Sequence, residues 1–349
     1  MNRENGEPVV PLDTWRRLYA AAGKVREMEP WRWMEETEFF GVWPADRDTA
    51  AFVSVMGALG EYYAVGVYPS PREWHQIRQL QSMPENERHA ERLLEIAHLQ
   101  AIFGGVRDLE ARDKRIIRDL GLKFRGDTAW PCFRSFRPGY FPWFLEPSEA
   151  QLLTVALEQL LEIAPRAQKD HSLLLAEDSA DRVLVRQPVG NQADGPWTEM
   201  RHMFPPVVTT FQMTIPTELI TAVRELKPFD LHLEVDVFPM PARIGKRGQR
   251  PQWPQSLLVV DSRSLYILGC KLLTVDTTVE AMWAAVPKHL LHILRKNDMR
   301  PASLTVRTPR VYAVLDALCG ELGIKLEVRP FLPALSTVRQ DMERLYNKR

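Results

Sequence analysis

Cysteine is scarce in this chain of 349 residues. The three present, Cys132, Cys270 and Cys319, have no paired spacing. Neither a disulfide framework nor a CxxC zinc site is supported. No run of 18 apolar residues occurs, so no membrane-spanning helix is expected. The opening MNRENGEPVV lacks the apolar core of a signal peptide. A soluble, cytoplasmic protein is the expectation. Charge of either sign is also lacking in excess: 45 Lys and Arg oppose 45 Asp and Glu, with a pI near 7.1. That argues against a dedicated non-specific nucleic-acid binder, which shows a basic imbalance, but leaves room for a local basic site. GxSxG, the P-loop, GxGxxG after a strand and HExxH are all missing. His75, His89 and His98 have no metal-ligand spacing, so no metal site is assigned. The sequence points to no particular cofactor.

What the chain does have is proline, 27 residues of it, and one unusual stretch. From Phe124 to Phe144, eight positions of 21 are aromatic, a quarter of the chain's 10 Trp, 8 Tyr and 14 Phe. Lys123, Arg125, Arg134 and Arg137 are interleaved with them. Pro131, Pro138 and Pro142 rule out a long helix, and Pro138-Gly139 carries the type II turn signature. Stiff backbone, planar cations and aromatic faces suit stacking and bidentate contacts to anions. Two readings stand. In one, the stretch packs its own rings and lays its arginines over them. In the other, Arg125, Arg134 and Arg137 with Trp130, Tyr140 and Trp143 bind an anionic ligand or a protein partner. An arginine set among aromatics must be paired or wetted. Glu35, Glu36 and Glu38 are the nearest unassigned acids in the N-terminal part, and they either answer these arginines or form a solvated turn.

The run LGLKFRGDTAWPCFRSFRPGYFPWFL, followed by EPSEAQLLTVALEQLLEIA, resembles an uncharacterised bacterial family of two-part proteins made of domains of unknown function. PLDTWRRLYAAAGKVREMEPWRWM near the start agrees with it, as do SLLVVDSRSLYILGC, RPASLTVR and LGIKLEV near the end. The resemblance implies a bacterial, cytoplasmic, two-part protein. It implies no activity.

Hydrophobic periodicity gives an α+β chain of two α/β-type domains with mixed sheets. The boundary is expected at Pro165 to Asp170, dividing residues 1–168 from 169–349. A helix opened by Pro147 carries apolar residues on more than one side and should be buried centrally. Helices are expected at Pro71 to Leu80, Glu85 to Ala97 and Glu110 to Leu120, and a strand at LLLAE from Leu173. The last hundred residues read as hairpin, helix, strand, helix, strand, helix, with a Thr277/Glu280 capping box and a break at Pro287. That order implies a partly parallel sheet covered by helices, and it resembles the ribonuclease H-like fold. Asp261, ending the strand LLVV, would be its first metal-binding carboxylate, with Glu234 and Asp236 as further acids. The match is incomplete, because Arg307-Thr308 stands where another acid is needed for a two-ion site.

Two function classes follow. The first is a non-catalytic binding or adaptor module that uses the Arg/aromatic stretch. The alternative is a metal-dependent nucleic-acid hydrolase of ribonuclease H-like type using Asp261, Glu234 and Asp236.

Overall fold

The computed structural model describes residues 3–4, 7–83, 93–175, 182–190, 195–206, 215–240 and 242–346. The chain is α+β and divides into two compact units. Unit 1 comprises Met1–Val208 with Lys246–Arg250, and unit 2 comprises Thr209–Gly245 with Pro251–Arg349. This division falls after the residue 168/169 boundary read from sequence. The reason is in the strand pairing, because two strands beyond that point extend the first sheet.

In unit 1, two short strands, β1 (Arg3–Glu4) and β2 (Glu7–Pro8), pair with each other. The main sheet has seven strands: β3 (Phe40–Val42), β4 (Ala51–Met56), β5 (Tyr63–Tyr68), β6 (His98–Gly104), β7 (Trp130–Phe136), β8 (Arg182–Pro188) and β9 (Trp197–Met203). Their order is β7-β6-β5-β4-β3-β8-β9. All neighbours are antiparallel except β3 and β8, which are parallel. Helices α1 (Leu12–Met28) and α4 (Pro147–Lys169) share a core with Val53, Val55, Val65, Val67 and Ala101 on one face. Helix α2 (Pro71–Ser82) covers the other, where Trp74 stacks on Phe52 with centroids 4.6 Å apart. A further helix, α3 (Ala111–Asp119), leads toward β7. It ends at Gly121, which has φ +69°, with the Leu122 N–H bonded to the Ile117 carbonyl, the left-handed termination that glycine favours.

The expected helix over 85–97 and part of the strand expected from Leu173 lie outside the described residues. Leu173 to Leu175 themselves form a turn, not a strand. Helix α4 runs through Pro165 to Lys169, so the expected boundary coincides with its last turn. Its buried residues, among them Leu152, Leu153, Ala156, Leu157, Leu160 and Ile163, occupy more than one side, as the sequence pattern requires.

Unit 2 holds β10 (Pro228–Pro239), β11 (Gln255–Asp261), β12 (Ile267–Leu273), β13 (Arg300–Val306) and β14 (Lys325–Val328). Their order is β12-β11-β10-β13-β14. The first three form an antiparallel meander, while β13 and β14 run parallel to β10. The helices are α5 (Thr217–Arg224), α6 (Val279–Ala284), α7 (Val286–Lys296), α8 (Pro309–Leu322) and α9 (Pro333–Tyr346). The break expected at Pro287 appears as the split between α6 and α7. The cap of α6 is Thr278, not Thr277; its side chain accepts from the Ala281 N–H at 3.1 Å. Helix α9 packs Leu335 and Val338 on Phe238, Leu258 and Val260. On the opposite face Gly269 lets α7 approach: a Cβ there would lie 2.8 Å from Ile293.

Truncating the centre of α4 tests this architecture. Leu153 is fully buried. Leu153→Ala is expected to destabilise unit 1 by about 2–5 kcal/mol, read from its urea transition. A change below about 1 kcal/mol, the size of an ordinary surface substitution, would contradict the burial.

Candidate functional site

The Arg/aromatic stretch is a strand and a returning loop. β7 forms the edge of its sheet, the place where a strand tolerates a proline such as Pro131. The chain then turns at Pro138-Gly139, with the Tyr140 N–H donating to the Arg137 carbonyl at 3.0 Å and Gly139 at φ +79°. That is the expected type II turn. The loop comes back alongside β7, where Ser135 and Trp143 exchange backbone bonds of 2.8 and 3.0 Å.

The three arginines have three different fates. Arg134 is 7% exposed. Its two terminal nitrogens donate to both carboxylate oxygens of Asp113, at 2.9 and 2.6 Å, and Nη1 also reaches the Phe133 carbonyl at 2.8 Å. Its guanidinium lies 5.0 Å from the Phe144 centroid, and that of Arg112 lies 4.6 Å from it. Burial pulls the Arg134 pKa down, but the bonds and charge of Asp113 outweigh it and leave the pKa raised. Arg137 has a side chain 39% exposed and bonds Glu146 at 2.7 Å and Glu149 at 2.8 Å. Arg125 is exposed, and among the described residues it makes no ion pair.

The partners are therefore not Glu35, Glu36 and Glu38. Glu38 instead accepts from the Glu35 backbone N–H at 2.9 Å. The acids that do answer lie at helix starts. Asp113, the third residue of α3, also accepts the Glu110 N–H at 2.9 Å. Glu149, the third residue of α4, also accepts the Glu146 N–H at 2.8 Å and the Ser135 hydroxyl at 2.7 Å. A carboxylate there satisfies an orphan backbone donor and complements the helix dipole. The sequence signal was available as Glu-x-x-Asp and Glu-x-x-Glu just before helical patterns.

Of the aromatic candidates, Trp130, Tyr140 and Trp143 are all half-buried. Trp130 meets Phe124 edge-on at 5.6 Å, and Trp143 meets Phe144 at 5.2 Å. Phe136, at the end of β7, stacks face to face on His98 at 4.2 Å. Both ring nitrogens of His98 have hydrogen-bond partners. Nδ1 donates to the Ile96 carbonyl at 2.8 Å, and Nε2 accepts from the Gln100 amide at 3.2 Å. This assigns the tautomer. Burial pushes its pKa down to about 4, partly offset by the Ile96 bond.

The second set of candidates, Asp261, Glu234 and Asp236, is not brought together. Asp261 pairs directly opposite Leu233, and opposed residues of an antiparallel pair share a face. Glu234 and Asp236 alternate with Leu233 and so point the other way. Each acid has its own partner. Asp261 accepts from the Ser264 hydroxyl and from the Arg263 and Ser264 N–H groups at 3.3 and 3.2 Å. Its slight burial would raise its pKa, and these bonds hold it below the usual value. Glu234 accepts the Leu335 N–H at 2.8 Å, at the start of α9. Asp236 is fully buried and bonds Arg307 Nε at 2.7 Å; burial raises its pKa despite that partner. Among the described residues, no three His, Cys, Asp or Glu side chains are placed to hold a metal ion.

The architecture is thus that of a two-part α+β protein with a mixed sheet in each part. Residues 15–186 match the family model described as domain of unknown function DUF7309, and residues 219–343 match that of domain of unknown function DUF6930. The chain is a two-part protein made of these two domains of unknown function. No curated protein matches it. Among the described residues, no helix is long and apolar enough to cross a membrane.

Two outcomes check this description. Arg134→Met strands the buried Asp113 carboxylate and is expected to cost about 3–5 kcal/mol, whereas Arg125→Met should stay within about 0.5 kcal/mol of wild type, both by chemical denaturation. Unfolded His98 takes up a proton near pH 6.5, while the folded form resists until about pH 4. Stability should therefore fall as pH drops through that window, by up to ~3 kcal/mol from this group. A His98→Gln variant should show a correspondingly shallower pH dependence between those limits.

Proposed function

We propose that this protein is a non-catalytic binding or adaptor module. The observation that carries the reading is the separate occupation of Asp261, Glu234 and Asp236. Two-ion phosphoryl chemistry needs carboxylates converging on ions about 4 Å apart. Here Asp261 lies on the other face of the sheet from the remaining two, Glu234 holds a helix start and Asp236 holds an arginine. The strand order of unit 2, an antiparallel meander extended beyond its first strand by two parallel strands, supports reading it as a ribonuclease H-like sheet. In that reading Arg307, directly after the fourth strand, sets a fixed guanidinium beside the first-strand Asp236. It supplies the positive charge that an ion would otherwise bring.

The ligand-facing part of the Arg/aromatic stretch narrows in this reading. Arg134 is consumed by Asp113 and Arg137 by two glutamates. Arg125 is left exposed, with Lys123 two residues before it also exposed. An anionic small molecule or an acidic segment of a partner protein is the class of ligand that such a pair would meet.

Thermal-shift measurements with nucleotides, inorganic phosphate and divalent ions test the proposal. Stabilisation by an anion, lost in Arg125→Met with the ligand-free Tm unchanged, is the expected outcome. A ligand at a hundred times its Kd adds about 2.7 kcal/mol. Stabilisation by Mg2+ or Mn2+ that Asp261→Asn abolishes, together with hydrolysis of a labelled oligonucleotide, would establish the metal-dependent hydrolase instead.

A further inference from the structure

Helix α7 carries a charge pattern that its own stability explains only at its C-terminal end. Its sequence, VPKHLLHILRK, contains no acid. Val286, Pro287, Leu290, Leu291 and Leu294 are buried, and Ile293 packs against Gly269 of β12. The outward positions are Lys288, His292, Arg295 and Lys296, all exposed. Arg295 and Lys296 sit in the last turn, where cations complement the helix dipole. Lys288 and His289 sit in the first turn, where the dipole opposes a cation.

Lys271 of β12 extends the same surface. It pairs opposite Leu257, two residues along from the Val259–Gly269 pair, so it shares the sheet face on which α7 lies. The neighbourhood of His289 shows the convergence: burial lowers its pKa, and Lys271, His292 and Lys288 lower it further. Among the described residues, no side-chain hydrogen bond or ion pair engages Lys271, Lys288, His292, Arg295 or Lys296. In a chain with zero formal net charge, this face gathers cations that no acid among the described residues pairs with directly. It is also held rigidly. The Asn297 amide donates to the Leu268 carbonyl at 3.0 Å and to the Ile293 carbonyl at 2.8 Å, tying the end of α7 to β12.

We propose that the outer face of α7, together with Lys271, is a docking surface for the phosphate backbone of a nucleic acid. The spacing fits. Lys288 to Lys296 spans about 12 Å at 1.5 Å per residue, and a strand of duplex DNA carries a phosphate about every 3.4 Å of axis, so the helix face covers three or four phosphates. Composition favours phosphates over a protein or a membrane. The core of a protein interface is apolar and depleted in lysine, and a membrane-surface helix presents an apolar face to the acyl boundary. The exposed positions of α7 are cationic or imidazole, and its apolar residues face inward. Contacts of this kind position a backbone and read no sequence.

The surface lies in unit 2 and does not depend on Arg125, so the two proposals fail separately. The experiment is fluorescence anisotropy of the full chain with a labelled 20-base-pair duplex and the matching single strand, between 50 and 200 mM KCl. Four phosphate contacts predict a log–log salt slope of about −3.6 on the duplex, roughly a hundredfold weakening across that range. The variant Lys288→Ala/Arg295→Ala/Lys296→Ala, whose folding is checked by circular dichroism, should lose about 2.7 of that slope, while Lys24→Ala, at an exposed cation of α1, leaves it unchanged. Circular dichroism matching wild type makes a loss of slope a binding effect. Absence of binding at 50 mM KCl overturns the proposal, and so does a slope unchanged in the triple variant. Tighter binding to a polyglutamate peptide or to phosphatidylserine vesicles than to either oligonucleotide overturns it as well.

Discussion

The fold of unit 1 depends on a carboxylate in the first turn of a helix doing two jobs at once. Asp113 accepts the Glu110 N–H and both terminal nitrogens of Arg134. Glu149 accepts the Glu146 N–H, the Ser135 hydroxyl and Arg137. The end of the edge strand β7 and the residue after it therefore pin the starts of two helices, through Arg134 and Arg137 only three positions apart. The arrangement explains why the arginines are there. Each helix start exposes backbone donors, each carboxylate satisfies one of them, and the arginine neutralises the charge so introduced. The ring of Phe144 lies close to both Arg112 and Arg134, with a face that favours cations.

Unit 2 uses the same physics with the roles exchanged. There the carboxylate sits on the strand. Glu234 of β10 reaches the start of α9, where it accepts the Leu335 N–H. Its neighbour on that face, Asp236, is buried against Arg307 just beyond β13. Both acids lie in the middle of the sheet, where an uncompensated charge would be costly. Both are held by bonds that join separate elements of the unit. In each unit, then, the buried charged groups hold elements together.

The elements were largely legible along the chain. The clean alternation of Leu231 to Val237 marks a strand because opposite faces meet different surroundings. Thr308 and Gly323 mark the ends of α8 because one supplies a side-chain acceptor and the other a left-handed turn. Pro138-Gly139 marks a turn for the same local reason. Less legible was the extent of unit 1. The strands from Arg182 to Met203 look like the start of a new domain, and only their pairing with β3 assigns them to the first sheet.

The candidate sites were legible only in part, and the divide is physical. Residue type by itself determined that arginines among eight aromatics must be paired or wetted, and that an acid ending an apolar strand deserves a test. Which acid pairs with which arginine is a question of through-space distance, and Asp113 lies 21 residues before Arg134. Whether Asp261 shares a face with Glu234 is a question of strand register, and a shift of one residue would reverse the answer. The cationic face of α7 falls between the two. Its composition is written in eleven consecutive residues, but its meeting with Lys271 exists only because Gly269 lets the helix settle onto β12. Local chemistry, which needs only neighbours in the chain, was determined by the sequence itself. Partners, faces and convergence were decided by the tertiary structure, because they depend on distances that the chain order does not contain.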